Sequence, residues 1–297
     1  MKRIYIAMFI VSVSLALTAA GALGFVGLNY GVDFTGGSVL KVAFENGRPD
    51  VSDIRETLAQ VEGLAGDLSI TPVDADELII RSSDRTHAVH GTVMTELLEA
   101  FPDSGLTERQ FDFIGPVIGQ ELRSKSIRAI IILLLVVAAY IALVFRSMGN
   151  VLSSWAMGVA AMVALLHDVI ITLGLFAVLG VTHGVQITAV FVAAILTILG
   201  YSLSDTVVVF DRVRENIVRG AKEAFPAVVH RSVMQTLVRS INTTVTTLAA
   251  LVAILLFGGE SLQYFALALI VGISLGSYSS IFVASPLLVW FSRGRGR

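Results

Sequence analysis

The sequence has no cysteine among its 297 residues, which excludes disulfides, thiol catalysis and cysteine-ligated zinc or iron–sulfur sites. Charge is also scarce, because only 15% of the residues are charged, whereas 55% are hydrophobic and the mean hydropathy is +0.81. These values exclude an ordinary soluble domain and indicate a membrane protein. The formal net charge of -2 gives no reason to expect a nucleic-acid partner.

The few acidic residues are unevenly distributed along the chain. Of the 23 acidic residues, 17 lie between Asp33 and Glu121. That stretch has the composition of a soluble domain, and the rest has the composition of a membrane-embedded region. We therefore predict a first membrane helix over residues 1–26, a domain outside the membrane over 27–125, and further membrane helices over 126–297.

Six segments are apolar and long enough to cross a bilayer, which takes about 20 residues. For the first segment a cleaved signal peptide is the alternative, but the apolar run is longer than the apolar region of a signal peptide, which has roughly 7–15 residues. Pro286 is expected to kink the sixth or to mark its turn. The predicted spans are Ile4–Val26, Ile127–Phe145, Val151–Leu179, Val185–Phe210, Ile241–Phe257 and Leu262–Phe291.

Basic residues fall on alternate sides of these spans. They precede the first span, follow the second, separate the fourth from the fifth and close the chain, whereas the other two short loops have none. The positive-inside rule then predicts that both termini are cytoplasmic and that residues 27–125 are extracytoplasmic. Between spans four and five, basic and apolar residues alternate, which predicts an amphipathic cytoplasmic link over 212–240 that Pro226 starts or bends.

Residues 38–115 change from membrane composition to the periodicities of a small mixed domain. Apolar residues alternate over Ser38–Phe44 and Glu108–Ile114, as in strands, and short strands are also expected over Leu68–Val73 and Glu77–Arg81. Helical spacing appears over Val51–Val61 and Ala88–Phe101. The order strand–helix–strand–strand–helix–strand predicts a ferredoxin-like α+β domain between membrane helices one and two.

This domain contains no nucleophile elbow, phosphate-binding loop or metal-ligand spacing. His87 and His90 are three residues apart with Asp84 nearby, but a metal site needs three or four convergent ligands. We therefore interpret them as the start of a solvated helix. No enzymatic activity and no metal are predicted, and the domain is interpreted as a binding or moving part.

Two aspartates lie inside predicted spans, Asp168 in the third and Asp205 in the fourth. A carboxylate at bilayer depth costs about 2.5–3.5 kcal/mol, and such residues usually belong to proton or ion pathways. Asp168 is the deeper and is favoured as the proton carrier; the alternative is a static polar contact between helices. For Asp205 a buried cap, or contact with water at the inner interface, is an equal alternative. His167 is not an automatic partner, since consecutive helical residues point about 100° apart.

Four further residues are candidates for the same pathway. Arg212 is seven residues after Asp205, hence on the same helical face, where an Arg can neutralise a buried carboxylate; anchoring at the membrane surface is the alternative. In span five, Asn242, Thr243 and Thr246 can hydrogen-bond the carboxylates or order water, and helix packing through small polar residues is the alternative.

After span one the chain reads Asp33-Phe-Thr-Gly-Gly37. Gly36 and Gly37 permit backbone angles that other residues avoid, and Asp33 can cap the turn, so this is a structural motif that redirects the chain from helix to strand.

Five motifs together resemble the SecF family, whose members are membrane subunits of the bacterial protein-export accessory complex SecDF in the resistance–nodulation–division superfamily. The resemblance covers essentially the whole chain, with the same six spans and one outer domain. The motifs are Asp33-Phe-Thr-Gly-Gly37, Leu166-His-Asp-Val-Ile-Ile-Thr-Leu-Gly174, Gly200-Tyr-Ser-Leu-Ser-Asp205, Val209-Phe-Asp-Arg-Val-Arg-Glu-Asn216 and Arg239-Ser-Ile-Asn-Thr-Thr244.

The resemblance implies a multi-pass protein of the bacterial inner membrane that uses the proton-motive force to promote export of an unfolded polypeptide. It implies SecD and the SecYEG translocon as partners, with YidC and YajC as further ones. No cofactor is expected beyond the proton gradient, and sodium is the alternative coupling ion. The competing functions are a half-size proton-coupled exporter of small molecules or lipids, and a non-transporting scaffold for membrane-protein assembly.

Overall fold

A computed structural model describes residues 3–60, 68–73, 76–82, 88–146, 154–220, 223–258 and 260–293. It divides into two compact units, residues 30–127 and the combination of 1–29 with 128–297. Residue 61 of the predicted helix 51–61, residues 74 and 75 of the predicted turn, and His87 and Asp84 lie outside the described residues.

The unit of residues 30–127 is built around a four-stranded sheet. Its elements are α2 (Val32–Thr35), β1 (Gly37–Phe44), α3 (Val51–Ala59), β2 (Leu68–Pro72), β3 (Glu77–Ser82), α4 (Ala88–Ala100), a 3-10 turn (Pro102–Ser104) and β4 (Leu106–Ile114). The strand order is β2-β3-β1-β4, and each neighbouring pair is antiparallel. Strand β1 is central, with Leu40 opposite Ile80 on β3 and opposite Phe111 on β4.

One face of this sheet forms the core of the unit with α3 and α4. Alternate residues of β1 point into it, as period-two patterning requires, and the helices add residues spaced four apart. The helix α3 begins at Asp50, whose side chain accepts the Ser52 backbone N–H at 3.0 Å. The buried cluster consists of Leu40, Val42, Phe44, Ile54, Leu58, Ile70, Leu78, Ile80, Val93 and Leu97.

The double-glycine motif lies between α2 and β1. Gly36 has a φ of 77° and Gly37 a φ of 131°, values that side-chain-bearing residues rarely adopt. The amide of Gly36 closes α2 by donating to the carbonyl of Val32 at 2.9 Å. A Cβ added to Gly119 would lie 3.0 Å from the Gly36 nitrogen, so a side chain there would press on this turn.

Within the described ranges, six helices are long and apolar enough to cross a membrane, which agrees with the number predicted. They are α1 (Arg3–Phe25), α5 (Pro116–Val144), α6 (Ser154–His183), α7 (Ala189–Val218), α8 (Phe225–Phe257), and a last span made of α9 (Glu260–Ser279), a π-helical turn (Ser280–Ala284) and α10 (Ser285–Arg293).

The predicted link over 212–240 is not a separate surface helix. Helix α7 extends to Val218, and α8 runs from Phe225 without interruption through the predicted start of span five. The chain turns between them, where Gly220 has a φ of 79° and Pro226 occupies the first turn of α8. Nothing between Pro226 and Asn242 breaks a helix, so the link and span five form one helix.

The last span changes helical pitch in its C-terminal half. The π-helical turn ends two residues before Pro286, which has no backbone N–H to give to the preceding helical turn. The Ser285 hydroxyl donates to the carbonyl of Ser280 at 2.8 Å. The predicted disturbance of this span near Pro286 takes the form of a π-helical turn.

Glycines allow the helices of this unit to approach closely. A Cβ added to Gly276 of α9 would lie 2.8 Å from the Cβ of Ser202 on α7, and one added to Gly272 would clash with Ile198. A Cβ added to Gly174 of α6 would lie 2.7 Å from the Cα of Ala19 on α1. Small residues at helix contacts are typical of membrane bundles.

Helix α1 is buried along a single line. Its buried residues are Tyr5, Ser12 and Ala19, spaced seven apart, whereas most of its other side chains are at least partly exposed. Residues seven apart lie on one helical face, so α1 packs along one narrow seam. Two of these contacts are hydrogen bonds to histidines: Tyr5 to His230 at 2.8 Å and Ser12 to His167 at 2.5 Å.

Candidate functional site

Asp168 is fully buried among helices of the membrane unit, with no exposed surface. Its Oδ1 accepts a hydrogen bond from His167 Nδ1 at 2.9 Å. Its Oδ2 accepts from Ser202 of α7 at 2.6 Å and from Ser279 of α9 at 2.8 Å. The carboxylate therefore joins three spans, α6, α7 and the last one.

Asp205 forms a second carboxylate site, with 7% of its surface exposed. Its Oδ1 accepts from Ser240 of α8 at 2.6 Å, and its Oδ2 accepts from Ser280 at 3.2 Å. This site joins α7, α8 and the last span. A partly buried hydroxyl contact between Tyr201 and Thr244, 3.3 Å long, links α7 to α8 nearby.

The two sites share two elements. On α7, Ser202 of the first site is three residues before Asp205, so both lie on one helical face. On the last span, the consecutive residues Ser279 and Ser280 bind Asp168 and Asp205 respectively. These serines stand at the junction of α9 and the π-helical turn. A local change of pitch there would alter both carboxylate contacts, and π-helical turns frequently occur at functional sites.

The chemistry of the partners suits groups that gain and lose protons. Each carboxylate is held by serine hydroxyls, which donate to an ionised carboxylate and accept from a protonated one by rotating. Among the described residues, neither aspartate forms an ion pair with a lysine or an arginine. A fixed cation would favour only the ionised form, whereas hydroxyls satisfy both forms.

The expected pairing of Arg212 with Asp205 is not present. Arg212 Nη1 instead contacts Glu215 Oε2 on the next turn of α7, at 2.5 Å, and Glu215 also pairs with Arg219. The seven-residue spacing did predict a common face, but Arg212 has a closer acid on its own helix and Asp205 has its oxygens occupied by serines. Arg212 thus belongs to a half-exposed ion-pair cluster.

The polar residues predicted on span five do not contact the carboxylates either. Asn242, Thr243 and Thr246 are exposed. The Thr243 hydroxyl donates to the Arg239 carbonyl at 3.0 Å, and that of Thr246 donates to the Asn242 carbonyl at 2.9 Å. The residue of α8 that reaches Asp205 is Ser240, two positions before the predicted set, because it lies on the buried face of the helix.

Sequence reasoning missed several members of the two sites. Ser12 and Ser240 gave no signal as single serines in apolar helices, whereas Ser274, Ser277 and Ser280 recur every three residues in the last span, a pattern that could have pointed to that helix. Consecutive residues point apart, which argued against His167, yet its Nδ1 reaches the carboxylate of the next residue because the imidazole is long. The close approach of Ser202 to α9 was encoded in Gly272 and Gly276, spaced four apart.

The described residues contain no group of three or more residues that could hold a metal ion. In the small unit, His90 contacts Glu108 at 2.9 Å and packs against the ring of Phe111. Asp33 lies in α2, Gly36 follows that helix and Gly37 begins β1, all far in sequence from the carboxylate residues.

The fold and the sites define a polytopic helical membrane protein with a small sheet domain after its first span and hydroxyl-bound carboxylates buried among its helices. Comparison with known proteins gives the family. Residues 93–294 match the model of "Protein export membrane protein SecD/SecF, C-terminal", and residues 21–47 match the "SecD/SecF GG Motif". The chain belongs to the SecD/SecF family.

Individual relatives agree with this assignment. The chain is 39% identical over 284 residues to the protein translocase subunit SecF of Thermobaculum terrenum, covering 89% of this chain and 84% of that protein. It is 37% identical to the SecDF of Brucella abortus, covering 90% of this chain and 34% of that protein.

A solved structure shows the same arrangement. The crystal structure of SecDF from Thermus thermophilus, described as a translocon-associated membrane protein, matches with a TM-score of 0.84 at 33% identity. The match covers 97% of this chain and 38% of that one, so this chain spans well under half of the SecDF structure. SecDF in a super-membrane-facing form matches with a TM-score of 0.67 over the same share.

Proposed function

We propose that this chain is a SecF-type subunit of the bacterial protein translocase, and that protons moving through its buried carboxylates drive movement of the domain of residues 30–127. Asp168 is the principal carrier and Asp205 the second protonation site. The role is that of a transporter component, and the relatives named SecF do not favour the alternatives of a small-molecule exporter or an assembly scaffold.

The observation that carries this proposal is the hydroxyl environment of both aspartates. A carboxylate that only held helices together would be stabilised best by an arginine or lysine, which fixes its charge. Here, serine hydroxyls surround carboxylates that are at least nine-tenths buried. Both protonation states can therefore be hydrogen-bonded, and the difference between them can bias two conformations. SecDF itself is known in forms that match this chain to different degrees.

We propose SecD as the partner that completes the pathway. The SecDF of Brucella abortus and the SecDF structure are longer proteins of which this chain covers about a third. An exposed polar stripe on α8 gives the docking surface, since Asn242, Thr243 and Thr246 lie exposed within a span. The two threonine hydroxyls donate to carbonyls of α8 itself, but the Asn242 amide is costly to leave facing lipid, and a partner helix with polar groups would cover it. The residues predicted for the pathway then serve the interface between the two subunits.

Several finer assignments complete the proposal. The small unit is ferredoxin-like, which its strand order β2-β3-β1-β4 with antiparallel neighbours supports. Both termini are cytoplasmic and residues 27–125 extracytoplasmic, as the distribution of Lys and Arg favours. The client polypeptide comes from SecYEG, YidC and YajC join the assembly, and the coupling ion is the proton.

The test is Asp168→Asn in the full chain, together with its SecD partner and SecYEG in proteoliposomes. The substitution keeps the shape but abolishes protonation, so stimulation of export by a proton gradient should be lost while the complex still assembles. Asp211→Asn is the matched control, because Asp211 is 55% exposed and paired with Arg214 on the surface of α7. Full stimulation in the Asp168→Asn protein would remove Asp168 as the carrier, and stimulation by a sodium gradient alone would change the ion.

A further inference from the structure

The buried side of Asp168 continues into a chain of hydrogen bonds that ends on α1. Asp168 Oδ1 lies 2.9 Å from His167 Nδ1, and His167 Nε2 lies 2.5 Å from Ser12 Oγ. All three side chains are at least nine-tenths buried. Next to them, the Tyr278 hydroxyl of α9 donates to the Met8 carbonyl of α1 at 2.8 Å.

We propose that His167 transmits the protonation of Asp168 to α1, by reversing the direction of its hydrogen bond with Ser12. This inference rests on the proposed function of Asp168, and it adds a positioning residue and a route from that carboxylate to the domain that follows α1. It involves no group beyond the proton that the gradient supplies.

The reversal follows from counting protons. When Asp168 is ionised and His167 neutral, the imidazole gives its single N–H to the carboxylate from Nδ1, so Nε2 is bare and accepts from the Ser12 hydroxyl. One added proton has three places to reside. On Oδ2 it would be donated to a serine and would leave the ring unchanged, whereas on the side that faces His167, where we place it, it has two. Either the carboxyl is protonated and donates to Nδ1, which moves the ring proton to Nε2, or the ring becomes an imidazolium. In both cases Nε2 carries a proton.

The Ser12 hydroxyl must then accept from Nε2 and find another acceptor for its own proton. The nearest one in a helix is the carbonyl four residues earlier, here that of Met8. That carbonyl already accepts from Tyr278. Protonation on the side of Asp168 that faces His167 therefore alters the polar contacts of α1 with α6 and with α9 at the same time, whether the proton settles on Oδ1 or on the ring.

The position of Ser12 makes this contact consequential. It is the middle residue of the seam Tyr5, Ser12 and Ala19, by which α1 is buried. At one end of the seam Tyr5 forms an aromatic pair with His230, and at the other end Ala19 lies close to Gly174. The chain of α1 continues from Phe25 to Tyr30, the first residue of the small unit. Among the described residues, the titratable side chain beside the His167–Asp168 pair is that of Tyr278 on α9. The pair also contacts the hydroxyls of Ser202 on α7 and Ser12 on α1.

The direct test reads the protonation of the His167 ring. The full chain with its SecD partner is labelled with 15N-histidine, reconstituted in liposomes and studied by solid-state NMR over a range of pH, with a His167→Gln sample to assign the signal. We expect Nε2 to be bare and Nδ1 protonated at high pH, and Nε2 to gain a proton as the pH falls. An Nε2 that keeps one state throughout overturns the proposal.

The second measurement reads the position of α1. Because the chain has no cysteine, Leu17→Cys and Val181→Cys place two spin labels at exposed sites on α1 and α6. The distance distribution should shift with pH in the otherwise unchanged chain, and this shift should be lost in Ser12→Ala and in His167→Gln. A shift that persists in Ser12→Ala overturns the route through α1.

His183→Gln is the matched control, since His183 is on the same helix but exposed and hydrogen-bonded to Thr182; it should keep the full shift. Neither readout depends on export. A pH-independent His167 therefore removes this relay without touching the carrier, whereas export that survives Asp168→Asn removes the carrier without touching the NMR result.

Discussion

The two buried carboxylates of this protein use similar partners but differ in how completely they are enclosed. Asp168 has no exposed surface and accepts three side-chain hydrogen bonds, one of them from a histidine. Asp205 retains 7% exposure and accepts two, the second of them 3.2 Å long. A proton on Asp168 therefore changes the contacts of several helices at once, whereas Asp205 is placed to exchange protons with its surroundings.

Under the proposed function, this difference gives the two sites distinct tasks. Conformational coupling requires that the protonation state alter packed elements, because packed interfaces respond in discrete steps. The enclosed Asp168 site, tied to α1 through His167, meets that requirement. The Asp205 site, tied to α8 through Ser240, lies on the helix that carries the exposed polar stripe proposed to receive SecD.

The largest expected effect on this comparison comes from Gly276→Ala. The added Cβ would lie 2.8 Å from the Cβ of Ser202 and 3.3 Å from its hydroxyl, so it would displace the residue that donates to Asp168. Overpacking of this kind costs about 1–3 kcal/mol. We expect a lower thermal midpoint of the purified complex and loss of most of the gradient-driven export. Gly200→Ala is the control, because nothing lies within 4 Å of a Cβ there.

If Gly276→Ala and Gly200→Ala behave alike, close contact between α7 and α9 does not hold the Asp168 site together. The thermal midpoint of each variant shows whether an export defect is accompanied by a loss of stability. Gly200→Ala should not lower the midpoint, because alanine has a higher helix propensity than glycine and the added Cβ meets no neighbour. A defect that occurs only in Gly276→Ala would show that the enclosure of Asp168 depends on the absence of a side chain at position 276.

A smaller effect, and a sharper comparison, comes from the neighbouring serines of the last span. Ser279 lies 2.8 Å from Asp168 and 3.2 Å from the Gly276 carbonyl, so its one proton is best given to the carboxylate. Ser280 lies 2.9 Å from the Ser277 carbonyl and 3.2 Å from Asp205, so its proton favours the backbone. Each is replaced by alanine in turn, and gradient-driven export is measured.

Hydrogen bonds to charged groups contribute about 1.5–3 kcal/mol, and neutral ones about 0.5–1.5 kcal/mol. Ser279→Ala should therefore reduce export by roughly tenfold, following about 1.4 kcal/mol per factor of ten, and Ser280→Ala by clearly less. The reverse order would mean that the Asp205 site, rather than the Asp168 site, limits the coupled step.

The sequence allowed the architecture to be predicted more fully than the sites. Six apolar runs and one stretch of changing period are long-range composition signals, so the spans and the small domain were expected. Which hydroxyls meet Asp168 depends instead on helix rotation and close approach. Ser240, rather than Asn242 or Thr243, faces Asp205 because the buried face of α8 is set by packing against α7 and the last span.

The pairing of Arg212 illustrates the same limit. Periodicity correctly predicted that Arg212 shares a helical face with Asp205, but it could not rank Asp205 against the nearer Glu215. In the same way, the predicted link is divided because Gly220 and Pro226 interrupt the helix despite the amphipathic pattern around them. Local sequence patterns predict which residues share a helical face, whereas competition among nearby groups in the folded protein decides which of them pair.

The smallest expected effect concerns an acid that lies in water, which provides the contrast to both buried sites. The Ser52 amide and hydroxyl donate to Asp50, which caps α3, and these bonds hold the pKa of the Asp50 carboxyl below its usual value. A lowered pKa in the folded state means that the cap contributes stability at neutral pH and loses it as the pH falls through that pKa.

Amide hydrogen exchange over Val51–Ala59 in the full chain should therefore speed up slightly in Asp50→Ala at neutral pH, and the difference from the unchanged chain should vanish in strong acid. Glu56→Ala, at an exposed position of the same helix, should leave the exchange unchanged. Gradient-driven export should be the same in both variants, because an exposed carboxylate already hydrogen-bonded to its own helix has no conformational change to drive. An export defect in Asp50→Ala would show that the pH response of the small domain itself contributes to the coupling assigned here to Asp168.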